Sequence, residues 1–173
     1  KKKNLRIIDS SKINLKNFNS YNSIFDNFLV QTSDINKFSK NNFFVASKKK
    51  PSKKTFNNLI FTFNICRFVK SNSIVLSQNF KTIGIGSGQP SRLDSCLIAI
   101  EKMKKNRLKN NNDEICAASD AFFPFLDGFE KLVQAGATAI IQPFGSIRDK
   151  EIIKFANKMG IVLIFSKTRH FRH

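Results

Sequence analysis

Ile115-Cys116-Ala117-Ala118-Ser119-Asp120-Ala121-Phe122-Phe123-Pro124-Phe125-Leu126-Asp127 is the stretch that decides how this chain folds. Its first four residues are a short apolar run, the end of a buried strand. Behind it comes Gly128-Phe129-Glu130-Lys131-Leu132-Val133-Gln134-Ala135-Gly136, with apolar residues at helical spacing and a glycine stop. Strand, aromatic loop and helix, in that order, is where an α/β protein puts a ligand, beyond the carboxyl ends of its strands. Pro124 keeps a regular strand or helix from running through the cluster. Asp120 and Asp127 bracket the rings with charge that a core does not hold unpaired. Spacing alone leaves two readings open for Phe122, Phe123 and Phe125: a ligand loop, or a plug in the core.

Strands and helices alternate on both sides of that stretch. Downstream, Ala137 to Gln142 is a buried strand stopped by Pro143. A helix capped by Asp149 follows, carrying Ile152, Ile153, Ala156 and Met159 and ended by Gly160, and then a last strand, Ile161 to Phe165. Upstream, Ser52 caps a helix with an apolar stripe of Phe56, Leu59, Ile60, Phe63 and Cys66, extending toward Lys70-Ser71. Ser73 to Leu76 and Lys81 to Ile85 read as a hairpin turning at Gln78-Asn79. Asn72 then stands between helix and strand, where its spacing alone favours a helix C-cap. Gly84-x-Gly86-x-Gly88 does not match the dinucleotide fingerprint. It reads as a tight turn that brings backbone close to a ligand and aims Ser91 and Arg92 at a helix start, where free amides attract anions. That helix carries Leu93, Leu97, Ile100 and Met103. On spacing alone Arg92 is a solvated surface arginine. Asn106 to Asn112 is a Lys/Asn loop of low complexity. The whole pattern predicts an α/β layered sheet with helices on its faces.

Residues 1–45 are less patterned, with short strands expected at Leu5-Arg6-Ile7-Ile8 and Phe28-Leu29-Val30-Gln31. The chain opens on Lys1-Lys2-Lys3 rather than methionine and reads as a fragment of a longer protein. No apolar run has the length of a membrane span, and no signal peptide is evident. Cys66, Cys96 and Cys116 are odd in number and each lies in an apolar periodic segment, so buried free thiols in a reducing, cytoplasmic setting are expected.

Thirty Lys+Arg against twelve Asp+Glu give a net charge of +18. Such an excess raises nucleic acid as a partner and makes a basic nucleic-acid-binding module the alternative reading. Yet 23 of the 30 are lysine and the excess is spread rather than striped. Asparagine, isoleucine and phenylalanine are swollen alongside it, which points to compositional drift with solvated lysines. No specific nucleic-acid partner is expected.

The aromatic stretch resembles the aromatic loop of the aminoimidazole-carboxamide ribonucleotide (AICAR) transformylase domain of the bifunctional purine biosynthesis family. Further stretches are similar in the same order: Phe68-Val69-Lys70-Ser71-Asn72, Gly84-Ile85-Gly86-Ser87-Gly88-Gln89 with Ser91-Arg92, Gln142-Pro143 with Gly145-Ser146-Ile147-Arg148-Asp149, and Arg169-His170-Phe171-Arg172-His173. Phe28-Leu29-Val30-Gln31 resembles a family strand too, without the glycine pair that usually precedes it. The resemblance implies a cytidine-deaminase-like layered α/β/α sheet, one of the two repeats of a transformylase domain. Residues 1–45 would be the segment between repeats and residues 46–173 the C-terminal repeat. The zinc signature of true deaminases is absent. Only His170 and His173 are histidines, too few for a closed site, so no metal is expected.

The implied activity is transfer of a formyl group from 10-formyltetrahydrofolate to AICAR, in a homodimer with active sites at the interface. The parent protein would also carry an inosine monophosphate (IMP) cyclohydrolase domain outside this chain. By resemblance, Asn72, Arg92, Phe122 and Arg169 would bind AICAR, with Arg169 on the phosphate. Leu93, Phe125, Asp127, Ser146 and Ile147 would line the folate pocket. The family's catalytic Lys-His pair is expected upstream, so no catalytic residue is assigned here and the fragment alone is expected to be inactive. Leu126 beside Asp127, Pro90 before Ser91 and Phe144 before Gly145 depart from the family pattern. Bulk at Phe144 is expected to narrow the folate pocket. By position alone, Arg169 reads instead as part of a frayed basic terminus.

Overall fold

The computed structural model describes residues 6–9, 11–12, 19–34, 38–106, 114–170 and 172. Most of the expected Lys/Asn loop at 106–112 lies outside them. The chain divides into two compact units, Lys1–Lys37 and Phe38–His173.

The smaller unit holds an antiparallel hairpin of β1 (Asn19–Ile24) and β2 (Asn27–Thr32). The second strand covers the expected Phe28 to Gln31. Its partner was not read from the sequence, because Asn19-Ser20-Tyr21-Asn22-Ser23-Ile24 is mostly polar and lacks a clean alternation. Of the expected strand at residues 5–8, Leu5 lies outside the described residues, and Arg6, Ile7 and Ile8 are exposed and belong to no element. Apolar β-branched residues do not make a strand without something to pair with.

The larger unit is a six-stranded sheet in the order β3-β8-β7-β6-β4-β5. Its strands are β3 (Phe43–Val45), β4 (Ile74–Gln78), β5 (Lys81–Gly86), β6 (Ile115–Ser119), β7 (Ala137–Pro143) and β8 (Val162–Ser166). Strands β6, β7 and β8 run parallel; β4 is antiparallel to both β5 and β6, and β3 to β8. Through the pairing of β3 with β8, Phe38–Val45 belongs to this compact unit.

The helices are α1 (Lys53–Cys66), α2 (Arg92–Asn106), α3 (Leu126–Gln134) and α4 (Asp149–Lys158). Side chains alternate across the central strands, so each face builds its own core. Leu59, Phe63 and Cys66 of α1 meet Val75, Cys116, Ala118, Ala139, Ile141 and Ile164 on one face. The other three helices cover the opposite face, where Cys96, Ala99, Phe129, Leu132, Ile152 and Ala156 meet Leu76, Ala117, Ile140 and Leu163. This is the layered α/β/α arrangement the sequence predicted. All three thiols are free and buried, and burial pushes those of Cys96 and Cys116 up to about 12.

Several local expectations are corrected. The hairpin turns at Asn79-Phe80, one residue later than expected, with φ of 53° and 59°. A phenylalanine with positive φ is costly, but the Phe80 N–H donates to the buried Asn58 Oδ1 at 3.0 Å, which holds the turn in place. Ser52 caps α1 as expected, accepting from the Thr55 N–H at 3.0 Å. That helix stops at Cys66, however, so Asn72 is not its C-cap. In α2 the buried stripe is Cys96, Ala99, Ile100 and Met103, while Leu97 is exposed. The reason is the strand beneath it. Gly84 and Gly86 of β5 lie so close to α2 that a Cβ on either would collide with its backbone carbonyls. A helix this close must face the strand with small residues. The glycines therefore admit a helix, not a ligand; only Gly88, with φ of 67°, serves the turn. Finally, Asp149 opens α4 rather than capping it. Its Oδ2 accepts from the N–H groups of Gly145 and Ser146, at 2.7 and 3.1 Å, and braces the preceding loop.

Helix α2 also reaches over the outer side of β5. Lys102 Nζ donates to the Ile85 carbonyl at 2.8 Å and Asn106 Nδ2 to that of Ile83 at 3.3 Å.

Candidate functional site

The strand directions bring four chain segments to one end of the sheet. In the ladder, Ile74 at the start of β4 stands opposite both Gly86 at the end of β5 and Ser119 at the end of β6. Ser166 ends β8 at that side as well, paired with Pro143 of β7. The entry to β4, the β5–α2 loop, the aromatic loop and the C-terminal tail therefore converge, and a cleft of about 430 Å³ opens between them.

Seven of the nine residues expected to bind substrate or folate line this cleft: Asn72, Arg92, Leu93, Phe122, Phe125, Asp127 and Arg169. The other two stand apart. Ser146 donates through Oγ to the Phe123 carbonyl at 3.2 Å, and Ile147 is fully exposed on the β7–α4 loop. Phe144, expected to crowd the folate side, is not among the lining residues; its ring packs edge-on against Phe44, 5.7 Å between centroids.

The aromatic loop is both a plug and a ligand surface, divided residue by residue. Phe123 is buried and packs edge-to-face on Phe129 at 5.8 Å, so it belongs to the core. Phe122 is half-buried and Phe125 exposed, and both face the cleft. Asp127 lies in the first turn of α3, whose free amides favour a carboxylate; its Oδ1 accepts from the Gly128 N–H at 2.6 Å.

Arg92 is not a solvated surface arginine: its side chain is 8% exposed and ion-paired with Asp120, which is 1% exposed. Its Nη1 donates to Asp120 Oδ1 and to Ser119 Oγ (2.7 Å), and its Nη2 donates to Asn72 Oδ1 at 2.7 Å. Asn72 in turn gives its Nδ2 hydrogens to the carbonyls of Gln89 and Pro90, at 2.9 Å each. With both donors spent and Oδ1 held by Arg92, the Asn72 amide is fixed in the cleft wall, its oxygen retaining a second acceptor site.

The tail is tied down, not frayed. His170 is buried, its ring tilted 46° to that of Phe63 with centroids 4.5 Å apart, and its backbone N–H donates to the Asp120 carbonyl at 2.8 Å. Beyond it, the Arg172 carbonyl accepts from the Ser71 N–H at 2.8 Å, and Arg172 Nη1 donates to the Phe68 carbonyl at 2.8 Å. Arg169 is thereby held at the mouth of the cleft. Sequence reasoning did not identify Asp120 as the hub of these contacts. The signal was present in its charge beside an aromatic cluster, which needed a buried partner. Among the described residues no group of three or more His, Cys, Asp and Glu could hold a metal ion. Among the described residues no helix is long and apolar enough to cross a membrane.

Comparison with known proteins follows the same lines. The family model described as AICARFT/IMPCHase bienzyme matches residues 1–102. The bifunctional purine biosynthesis protein PurH of Buchnera aphidicola subsp. Schizaphis graminum is 43% identical over 175 residues, covering 100% of this chain and 33% of the relative. PurH of Buchnera aphidicola subsp. Baizongia pistaciae is 45% identical over 175 residues, with the same coverage. PurH of Neisseria meningitidis serogroup C is 41% identical over 172 residues, covering 99% of this chain and 32% of the relative. The chain thus spans about a third of the length of the curated relatives it matches. Among solved structures, the apo dCMP deaminase of cyanophage S-TIM5 is similar with a TM-score of 0.41 at 14% identity, covering 65% of this chain and 98% of that one.

Proposed function

The chain belongs to the AICARFT/IMPCHase bienzyme family, and from that membership we propose that it is the C-terminal part of an AICAR transformylase domain. The reaction is formyl transfer from 10-formyltetrahydrofolate to AICAR in purine biosynthesis, by a cytoplasmic homodimer with active sites at the subunit interface. Residues 46–173 would be the C-terminal repeat of that domain, and residues 1–45 the segment joining it to the first. The whole protein would also carry IMP cyclohydrolase activity in a separate domain.

The observation that carries this reading is the cleft. Around one opening stand a cation at the mouth (Arg169), an acceptor fixed by an ion pair (Asn72), aromatic rings (Phe122 and Phe125) and a carboxylate at a helix N-terminus (Asp127). A guanidinium can grip a phosphate through two parallel hydrogen bonds. A ring can lie on an imidazole, and a carboxylate accepts from the amino and ring N–H donors of a pterin. Ser146 and Ile147, on the neighbouring loop, would reach the folate from outside the cleft.

The AICAR amine is a weak nucleophile because its lone pair is delocalised into the ring. It attacks the formyl carbon to give a tetrahedral adduct, which collapses by breaking the bond to folate N10 as a proton passes from the amine to N10. Catalysis must orient the amine, carry that proton and stabilise the tetrahedral oxyanion. This chain's residues orient; proton transfer is assigned to a Lys-His pair upstream. The test is formyl transfer by the full-length protein. Arg92→Ala should lower kcat/KM for AICAR, and Phe125→Ala should raise the folate KM. Absence of formyl transfer by the intact, folded protein would overturn the reading.

A further inference from the structure

Asp120 does not line the cleft, and its carboxylate is spent on both oxygens. Oδ1 takes the Arg92 Nη1 hydrogen. Oδ2 accepts from Ser71 Oγ (2.5 Å) and from the Ser73 N–H (3.1 Å), the residues on either side of Asn72. Arg92 in turn holds Asn72 Oδ1, and Ser95 Oγ donates to the Asn72 carbonyl at 2.8 Å. Beyond its two Nδ2 bonds to the Gln89 and Pro90 carbonyls, Asn72 is thus fixed from three further directions, two of which trace to one buried carboxylate. The Asp120 backbone carbonyl also takes the His170 N–H, beside the tail arginine.

We propose that Asp120 is a positioning residue for the nucleotide side of the cleft, aiming the Arg92 guanidinium and, through it and the flanking serines, the Asn72 amide. It touches no ligand itself and acts by denying both groups other orientations. An arginine without that anchor keeps its charge but loses its direction. Arg92 would then swing to solvent, and Asn72 Oδ1 would lose its donor, leaving the amide held only through Nδ2. A preorganised contact loses most of its value when its geometry is left to chance. This inference rests on the reading of the cleft as the AICAR site.

The test is a double-mutant cycle in the full-length protein, using Asp120→Asn and Arg92→Ala, with kcat/KM measured for AICAR and KM for the folate. Asp120→Asn should lower the nucleotide kcat/KM by about tenfold or more and leave the folate KM within about twofold. On the Arg92→Ala background it should add at most about twofold, because the group it positions has gone. An Asp120→Asn enzyme that uses AICAR normally or better overturns the proposal. So does one whose full effect persists without Arg92, since that is a general loss of structure. If Arg92→Ala alone leaves nucleotide use unchanged, the cleft reading itself is wrong and the role of Asp120 falls with it. Should Asp120→Asn fail to fold, Ser71→Ala removes a single hydrogen bond to the same carboxylate. It should cost severalfold in nucleotide kcat/KM only when Arg92 is present, and no cost there overturns the proposal.

Discussion

Gly86 lies directly beneath Ser95, so close that a Cβ on the glycine would stand 1.9 Å from the serine carbonyl oxygen. The next glycine back, Gly84, has the same relation to Ala99 at 2.1 Å. Helix α2 and strand β5 are in near-backbone contact, and the start of that helix carries Arg92 and Leu93 into the cleft. Gly86→Ala should therefore destabilise the fold by about 3 kcal/mol or more, because no flexible side chain can yield to the added methyl. A denaturant midpoint unchanged from the parent would show that the two elements can separate at little cost.

The divided aromatic loop makes an opposed pair of expectations. Phe123→Ala empties a buried, edge-packed site and should cost about 3–5 kcal/mol in stability. Phe125→Ala removes an exposed ring and should leave stability within about 0.5 kcal/mol while raising the folate KM. Chemical denaturation and steady-state kinetics on the two variants would separate core from ligand surface. Equal loss of stability in both would merge them again.

Arg169 should grip phosphate. A charge-assisted contact contributes roughly 1.5–3 kcal/mol, so Arg169→Ala in the full-length enzyme should lower kcat/KM for AICAR about ten- to a hundredfold. Folate saturation should change far less. Unaltered kinetics toward the nucleotide would mean that the tail only packs.

The buried thiols make stability fall at alkaline pH. Their ordinary value is 9.0, and burial, the largest cause in each case, raises Cys96 and Cys116 to about 12 and Cys66 further in the same direction. Below pH 9 each thiol is protonated in both folded and unfolded chains and contributes no pH dependence. Above it the unfolded chain releases protons that the folded one keeps, so unfolding becomes easier as pH rises toward the folded values. At pH 10 the loss is about 1.4 kcal/mol per thiol. Comparing denaturant midpoints at pH 8 and pH 10, Cys96→Ala and Cys116→Ala should each remove its own share of the drop. A drop unchanged by both would assign it to other groups.

Residues 1–173 taken alone should turn over no formyl groups and should self-associate. The hairpin of the smaller unit exposes Tyr21, Phe25, Phe28, Leu29 and Val30 within two short strands and their turn, an apolar cluster of the kind that drives association. Sedimentation should show a concentration-dependent rise in mass that lessens when residues 1–37 are removed. Transformylase turnover by the 173-residue chain would move the proton chemistry into it.

The sequence was informative where the period of the apolar residues matched their environment. Strands β6, β7 and β8 are continuous apolar runs because both faces of each are covered, and the helices between them show in their stripes and glycine stops. It was misleading where contact distance, not polarity, chose the residues. Leu97 looked like core because it is apolar, but the face that meets β5 had to be small, and Ser95 and Ala99 took it. The cleft was legible as motifs scattered through the chain, and sheet direction gathers seven of those residues around one opening. Asp120 escaped because a buried carboxylate declares its role only through its partners. Those lie 28 and 49 residues away in the chain, at Arg92 and Ser71.

Lys102 and Asn106 have a consequence for how copies of this sheet could grow on one another. Each covers an outward carbonyl of β5, so a foreign strand arriving at that edge finds acceptors already taken. Strand addition at the β5 margin must first displace the lysine and the asparagine, which opposes growth of one copy on another through that edge.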